Sequence, residues 1–62
     1  MYQITIIANG KEVLFLPTAS EQTKKEILDS VKVDDYYLHH ENETFVNWMK
    51  DNGDCQVRVR TL

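Results

Sequence analysis

The chain contains a single cysteine, Cys55, among its 62 residues. One cysteine cannot form an internal disulfide, which excludes the disulfide-stapled class of small secreted domains. No apolar run approaches the roughly 20 residues that a membrane span requires, and the N-terminus has neither the basic region nor the apolar block of a signal peptide. We therefore expect a protein of a reducing cytoplasm, of a bacterium or of a host cell, with no membrane partner.

Glycine and proline are also scarce, with two glycines and one proline in the chain. No phosphate-binding glycine loop is present, which gives no support to a nucleotide cofactor, and no flexible linker divides the sequence. Hydrophobic residues make up 42% and charged residues 27% of the chain, a balance typical of a folded globule. Residues 1–62 are predicted to form a single compact domain without a cofactor.

Residues 2–16 have the pattern of a β-hairpin. Two runs rich in β-branched and large apolar residues flank Asn9-Gly10, the dipeptide best suited to the positive φ angles of a type I′ turn. A two-residue loop sets a register that separates the side chains into two groups. The inward group is Ile4, Ile6, Val13 and Phe15, and the outward group is Thr5, Ile7, Leu14 and Leu16.

Two helices are predicted after the hairpin. Pro17 ends the second strand, and residues 18–21 have the form of a capping box, which predicts a helix to about Val31. For residues 43–51 a strand ending in an Asn52-Gly53 turn is the alternative. Helical periodicity is favoured because it places four apolar side chains on one side. These are Phe45, Val46, Trp48 and Met49.

The remaining segments are predicted to be extended. Residues 36–40 are interpreted as a connection or a short edge strand. Residues 55–61 alternate strictly and predict the last strand, with Cys55, Val57 and Val59 inward and Arg58 and Arg60 outward.

These elements predict an α+β fold, a three-stranded sheet of order 2-1-3 with two helices on one face. Two helical passes after the hairpin let the last strand run parallel to the first, and a right-handed crossover favours both helices on one face. This ββααβ order resembles the β-grasp arrangement of ubiquitin-like proteins over residues 1–31 and 55–62. Because the chain stops at Thr61-Leu62 without a Gly-Gly tail, the resemblance implies the fold and not conjugation or sulfur transfer.

No residue pattern predicts catalysis, so the chain is not expected to be an enzyme. A thiol–imidazole pair would need Cys55 with His39 or His40, but strand alternation turns Cys55 inward, where a free thiol acts as a small apolar side chain. Adjacent histidines of an extended chain point to opposite sides, which disfavours chelation of one metal ion. Residues 51–54 lack the remaining ligands of a calcium loop and are interpreted as a solvated turn. No catalytic residue and no metal site are predicted.

The charges are unevenly distributed along the chain. Residues 26–54 contain eight acidic residues against Lys32 and Lys50, while the rest is net basic and the total is −3. A net-acidic domain is poorly suited to nucleic acid phosphates, so nucleic acid is an unexpected partner. An acidic surface instead attracts a basic surface on another protein, or simply maintains solubility. The candidate partner-binding residues of this acidic stretch are Asp34, Asp35, Glu41 and Glu43.

A second candidate surface is the sheet face turned away from the helices. The predicted register places three aliphatic side chains and two arginines there, namely Ile7, Leu14, Leu16, Arg58 and Arg60. A contiguous apolar patch of this kind marks an interaction site, unless residues 36–38 fold over it. Single-stranded nucleic acid is disfavoured on this face because no aromatic side chain is predicted there for stacking.

The favoured interpretation is a small acidic module that binds another protein, as a regulator or inhibitor of a larger cytoplasmic protein. Phage-encoded inhibitors of host enzymes and defence systems are commonly of this size and charge. Two alternatives remain open. One is nucleic-acid binding through phosphate contacts of Arg58 and Arg60. The other is a homo-oligomer, such as a homodimer, in which the open sheet face or the last strand pairs with its copy and supplies the burial that so short a chain lacks.

Overall fold

In the computed structural model, which describes residues 1–62, five strands and one α-helix make up the fold. They are β1 (Tyr2–Ala8), β2 (Lys11–Ala19), α1 (Glu21–Val33), β3 (Tyr37–Glu41), β4 (Phe45–Lys50) and β5 (Cys55–Thr61), with a short 3-10 turn at Asp51–Gly53. The strands form one antiparallel sheet of order β2-β1-β5-β4-β3. α1 packs on one side of it, which we call the helix face. The opposite side is the open face.

The predicted fold class was wrong. A five-stranded antiparallel sheet with a single helix replaces the three-stranded sheet with two helices. The residues predicted to form the second helix form β4, and β5 consequently runs antiparallel to β1, which departs from the β-grasp arrangement. The predicted adjacency of the hairpin and the last strand is retained as the β2-β1-β5 part of the sheet. The short edge strand expected before residue 43 is β3.

β4 is a strand because its side chains are divided between the two faces of the sheet. Val46 and Trp48 pair with the inward valines of β5 and lie on the helix face. Phe45, Asn47 and Met49 lie on the open face. Because apolar side chains occur on both faces, the pattern of β4 imitates the apolar stripe of a helix. The β propensity of its aromatic and branched residues and its pairing on both sides outweigh that pattern.

A bulge in β2 changes the register predicted from the Asn9-Gly10 turn. The turn itself forms as predicted, with both residues at positive φ. Beyond it, Ile7 pairs with Glu12, but the next pair joins Ile6 to Leu14, so one residue of β2 is left over.

The bulge reverses the facing of the rest of β2, because side chains alternate along a strand. Leu14 and Leu16 lie on the helix face, and Leu16 packs against the buried core. Phe15 takes the open face, where it is 46% exposed. The predicted placement of Leu14 and Leu16 on the open face, and of Phe15 on the inner face, was therefore wrong.

This register can be tested with one substitution made at two adjacent positions. Threonine is well tolerated in strands, so Leu16→Thr and Phe15→Thr differ mainly in which face loses its apolar side chain. We expect Leu16→Thr to cost roughly 2 kcal/mol in the free energy of unfolding and Phe15→Thr less than about 1 kcal/mol. Urea unfolding followed by circular dichroism measures both. A larger loss for Phe15→Thr would contradict the observed register.

Pro17, predicted to end the second strand, lies inside β2 at a further bulge between Leu16 and Ala19. Proline lacks a backbone N–H and is tolerated in an edge strand or a bulge, and β2 is an edge strand. The helix therefore begins two residues later than the predicted capping box. Ser20 is the N-cap, and its hydroxyl accepts a hydrogen bond from the backbone N–H of Thr23 at 3.2 Å.

The buried core is small and lies between α1 and the three adjacent strands β2, β1 and β5. Only 6 of the 62 residues are buried, so each core side chain carries a large share of the stability. Ile27 and Leu28 of α1 and Trp48 of β4 pack around this core. The buried apolar residues are Ile4, Ala19, Val31, Val57 and Val59.

Candidate binding surface

The centre of the open face is a shallow depression over β1, β5 and β4. Strand alternation places it there, because the buried valines of β5 turn the intervening arginines to the other side. Its lining contains no acidic residue and a single apolar one. The lining residues are Gln3, Thr5, Phe45, Arg58 and Arg60.

The Arg58 guanidinium is held in place by its neighbour along β5. Its Nε and Nη2 donate hydrogen bonds to the Gln56 side-chain oxygen at 3.2 and 3.0 Å. The Gln56 amide in turn donates to the backbone oxygen of Gly53 at 2.8 Å. This chain of hydrogen bonds ties Arg58 to the β4–β5 turn through a neutral group, so its charge is oriented but not neutralised.

The Arg60 guanidinium lies over an aromatic ring. Its carbon is 5.2 Å from the centroid of the Phe45 ring, within the range of a cation–π contact. On the other side of Phe45, the His40 ring lies with its centroid 6.1 Å away. The arginine is therefore positioned by an apolar partner and, like Arg58, keeps an unpaired charge.

Aromatic side chains flank the arginines on both sides, contrary to the pattern predicted from the sequence. Phe45 lies on β4, and Phe15 lies on β2, opposite Thr5 in the register. Tyr37, at the β3 edge, is 51% exposed. The prediction that the open face carries no aromatic residue was wrong, because it depended on an unbulged hairpin and on a helical segment at β4.

Of the five predicted residues of the open face, three lie there. Arg58 and Arg60 lie in the depression. Ile7 lies on the same face outside it, paired with Gln56 of β5. Leu14 and Leu16 lie on the other face of the sheet. The segment proposed as a cover forms the edge strand β3 beside β4 and does not lie over the face.

The predicted acidic stretch is divided by β3. Asp34 and Asp35 precede this strand, whereas Glu41 ends it and Glu43 lies in the turn that follows. Five residues of extended chain separate the pairs by about 17 Å. The four carboxylates therefore occupy the two ends of an edge strand and do not form one continuous patch.

Asn47 lies beside the depression, between His40 of β3 and Arg58 of β5. It is the one polar residue of the buried set, at 7% exposed, and its side-chain oxygen has no hydrogen-bond partner. A buried acceptor without a donor costs about 1–3 kcal/mol. We therefore expect this polar group of the open face to lower the stability of the fold.

A second depression lies between α1 and the helix face and is mostly apolar. Ile27 and Val31 form one wall, and Tyr36 closes one end. Burial raises the pKa of Tyr36 above its ordinary value, and the Lys50 ammonium, 4.9 Å from the centre of the ring, partly opposes this. Its polar lining is limited to Ser30 and Asp34, and we interpret this depression as a gap in the small core.

The residues considered for catalysis or metal binding are dispersed. The Cys55 thiol contacts Asp51 at 3.6 Å, while His39 and His40 lie on β3, two strands away from β5. No three histidine, cysteine, aspartate or glutamate side chains group in a way that could hold a metal ion.

The strand edges also bear on self-association. β5 is the central strand and is paired on both sides, so pairing of the last strand with its copy is excluded. The outer strands β2 and β3 each contain an irregularity of register. Bulges at sheet edges hinder the addition of another strand, which disfavours assembly through either edge.

Comparison of the chain with protein-family models, with characterised proteins and with solved structures found no match. No helix of the structure has the length and apolar character needed to cross a membrane.

Proposed function

We propose that the protein is a protein-binding module that docks through its open face, as a regulator or inhibitor of a larger cytoplasmic protein. The observation that carries the proposal is the pair of oriented, unpaired arginines between aromatic side chains. A phage-type inhibitor of a host enzyme or defence system matches the size and the net charge of −3. The half-buried free thiol of Cys55 fits a reducing cytoplasm.

The composition of the open face supports a protein partner. Arginine, aromatic residues and methionine are enriched where proteins meet, and lysine is depleted. The open face follows this pattern, since it carries both arginines of the chain and none of its lysines. The residues of these enriched types on the open face are Phe15, Tyr37, Phe45, Met49, Arg58 and Arg60.

Single-stranded nucleic acid is the second candidate, and the aromatic residues favour it. Bases stack on exposed aromatic rings while arginines contact the phosphates, and Phe15 and Phe45 flank Arg58 and Arg60 in that manner. The acidic balance of the chain opposes this function, because phosphate attraction supplies most of the affinity for nucleic acid. We rank it second for that reason.

The proposal is tested by capture from a host lysate with matched baits. The open-face variant combines Phe15→Ala with Phe45→Ala. The control combines Val33→Ala with Leu38→Ala, two apolar residues that are 80% and 53% exposed elsewhere on the surface. We expect wild-type bait and control to retain the same protein and the open-face variant to lose at least about nine-tenths of it, since buried aromatic anchors dominate binding energy.

Two results would contradict the proposal. One is equal retention by the open-face variant and the control, which would place any contact elsewhere. The other is retention that disappears after nuclease treatment of the lysate, which would favour the nucleic acid candidate. Circular dichroism of all three baits verifies that each is folded.

A further inference from the structure

We infer that the open-face depression receives an acidic segment of the partner, an extended stretch whose carboxylates bind Arg58 and Arg60. The inference rests on the proposed function and specifies the chemistry of the partner surface. Its basis is that neither arginine has a counter-charge within the molecule. The contacts of Arg58 go to the neutral amide of Gln56, and Arg60 lies on a phenyl ring.

Both arginines are organised before a ligand arrives. A flexible arginine loses side-chain entropy when it binds, and that cost falls when neighbours already hold the guanidinium. Arg58 uses its Nε–H and one Nη2 hydrogen on Gln56, which leaves its other donors free. The planar arrangement of guanidinium donors matches a carboxylate with two parallel hydrogen bonds.

The spacing of the two charges fits an extended peptide. Arg58 and Arg60 are alternate residues of β5, so their Cα atoms are separated by about 6.7 Å along the strand. Alternate side chains of an extended peptide have the same separation, so two carboxylates at positions i and i+2 can each face one arginine. Thr5 and Gln3 stand opposite these arginines on β1 and add neutral polar groups to the lining.

The charge of the whole molecule favours a compact acidic segment over a phosphate chain. The net charge of −3 includes the two arginines, so the rest of the chain carries −5. A nucleic acid that extends beyond the depression would meet this acidic surface, and two phosphate contacts supply little affinity at physiological salt. An acidic segment that is no longer than the depression contacts the arginines alone.

The test uses a synthetic peptide in which aspartate alternates with threonine, and a matched peptide in which asparagine replaces every aspartate. Nuclear magnetic resonance of the arginine Nε–H groups reports binding at Arg58 and Arg60 individually. We expect the aspartate peptide to shift both signals in a salt-dependent manner and the asparagine peptide to leave them unchanged. Arg58→Gln with Arg60→Gln, followed by the backbone N–H signals of β5, should weaken binding at least about tenfold. Lys25→Gln with Lys32→Gln removes the same charge from α1 and should leave the affinity of the peptide within about twofold.

Three results would overturn the inference. The first is that both peptides shift the arginine signals equally. The second is that oligothymidylate shifts them more than the aspartate peptide does. The third is that inorganic phosphate shifts them as much as the aspartate peptide does. The proposed function is judged separately in the capture experiment. If Arg58→Gln with Arg60→Gln still retains the partner while the variant lacking both phenylalanines does not, open-face docking stands and the acidic segment is wrong.

Discussion

Replacement of Ile4 by alanine is expected to leave a large fraction of the chain unfolded at 25 °C. Ile4 is the one large side chain with no exposed surface, and it lies in β1 between Leu16 of β2 and Val59 of β5. Truncation of such a side chain costs about 2–5 kcal/mol. A domain of this length has a total stability of roughly 3–9 kcal/mol. The loss is therefore comparable with the total free energy of unfolding of the domain.

The measurement is urea unfolding of the wild type and of three variants, followed by circular dichroism. Ile7→Ala is the matched control, since it removes the same atoms three residues further along β1, on the open face. It should cost at least about 1 kcal/mol less than Ile4→Ala. Ile4→Val removes a single methylene and should cost about 0.5–1.5 kcal/mol, which leaves a folded protein to measure. Equal losses for Ile4→Ala and Ile7→Ala would show that the core does not lie on the helix face.

The parts of the fold that follow from local chemistry could be predicted from the sequence. The Asn9-Gly10 turn forms because few other residue pairs accept two positive φ angles. β5 alternates without interruption between buried valines and exposed arginines. The approximate course of α1 follows from its apolar spacing, although the predicted cap at Thr18 was wrong and Ser20 is the N-cap. Each of these signals is contained within a few consecutive residues.

The remaining parts depend on contacts between distant segments. The β2 bulge left Val13 unpaired, and no local signal in Lys11–Leu16 marks it. β4 carries apolar residues on both faces because the open face is itself partly apolar around Phe45, and such a strand has no clean alternation. The bulge and the irregular pattern of β4 changed which side chains belong to the candidate site. The arginines were placed correctly because β5 is regular, whereas the aromatic residues beside them depended on the two irregular segments.

Replacement of Asn47 by leucine is expected to stabilise the protein by about 1–2 kcal/mol. The side-chain oxygen of Asn47 is buried without a donor, so unfolding returns it to water and is favoured by that amount. Leucine removes the unpaired group and has nearly the same size. For a domain of this length the melting temperature should rise by roughly 4–8 °C for each kcal/mol. Thermal unfolding by circular dichroism or calorimetry measures the shift.

The same substitution at Asn42 supplies a control of opposite sign. The Asn42 side-chain oxygen accepts a hydrogen bond from the Thr44 N–H at 3.0 Å, so it holds the β3–β4 turn. Asn42→Leu should therefore lower the melting temperature. If Asn47→Leu lowers it as well, the Asn47 amide is satisfied in solution and the predicted cost does not exist.

A stabilising Asn47→Leu substitution would also bear on the open face. Stability and activity trade off at functional sites, so a substitution that stabilises such a site commonly lowers its activity. Asn47 adjoins Arg58 within the surface proposed for docking. The leucine variant is thus expected to be more stable than the wild type and to retain less partner in the capture experiment. Full retention by the stabilised variant would mean that the partner does not contact this amide.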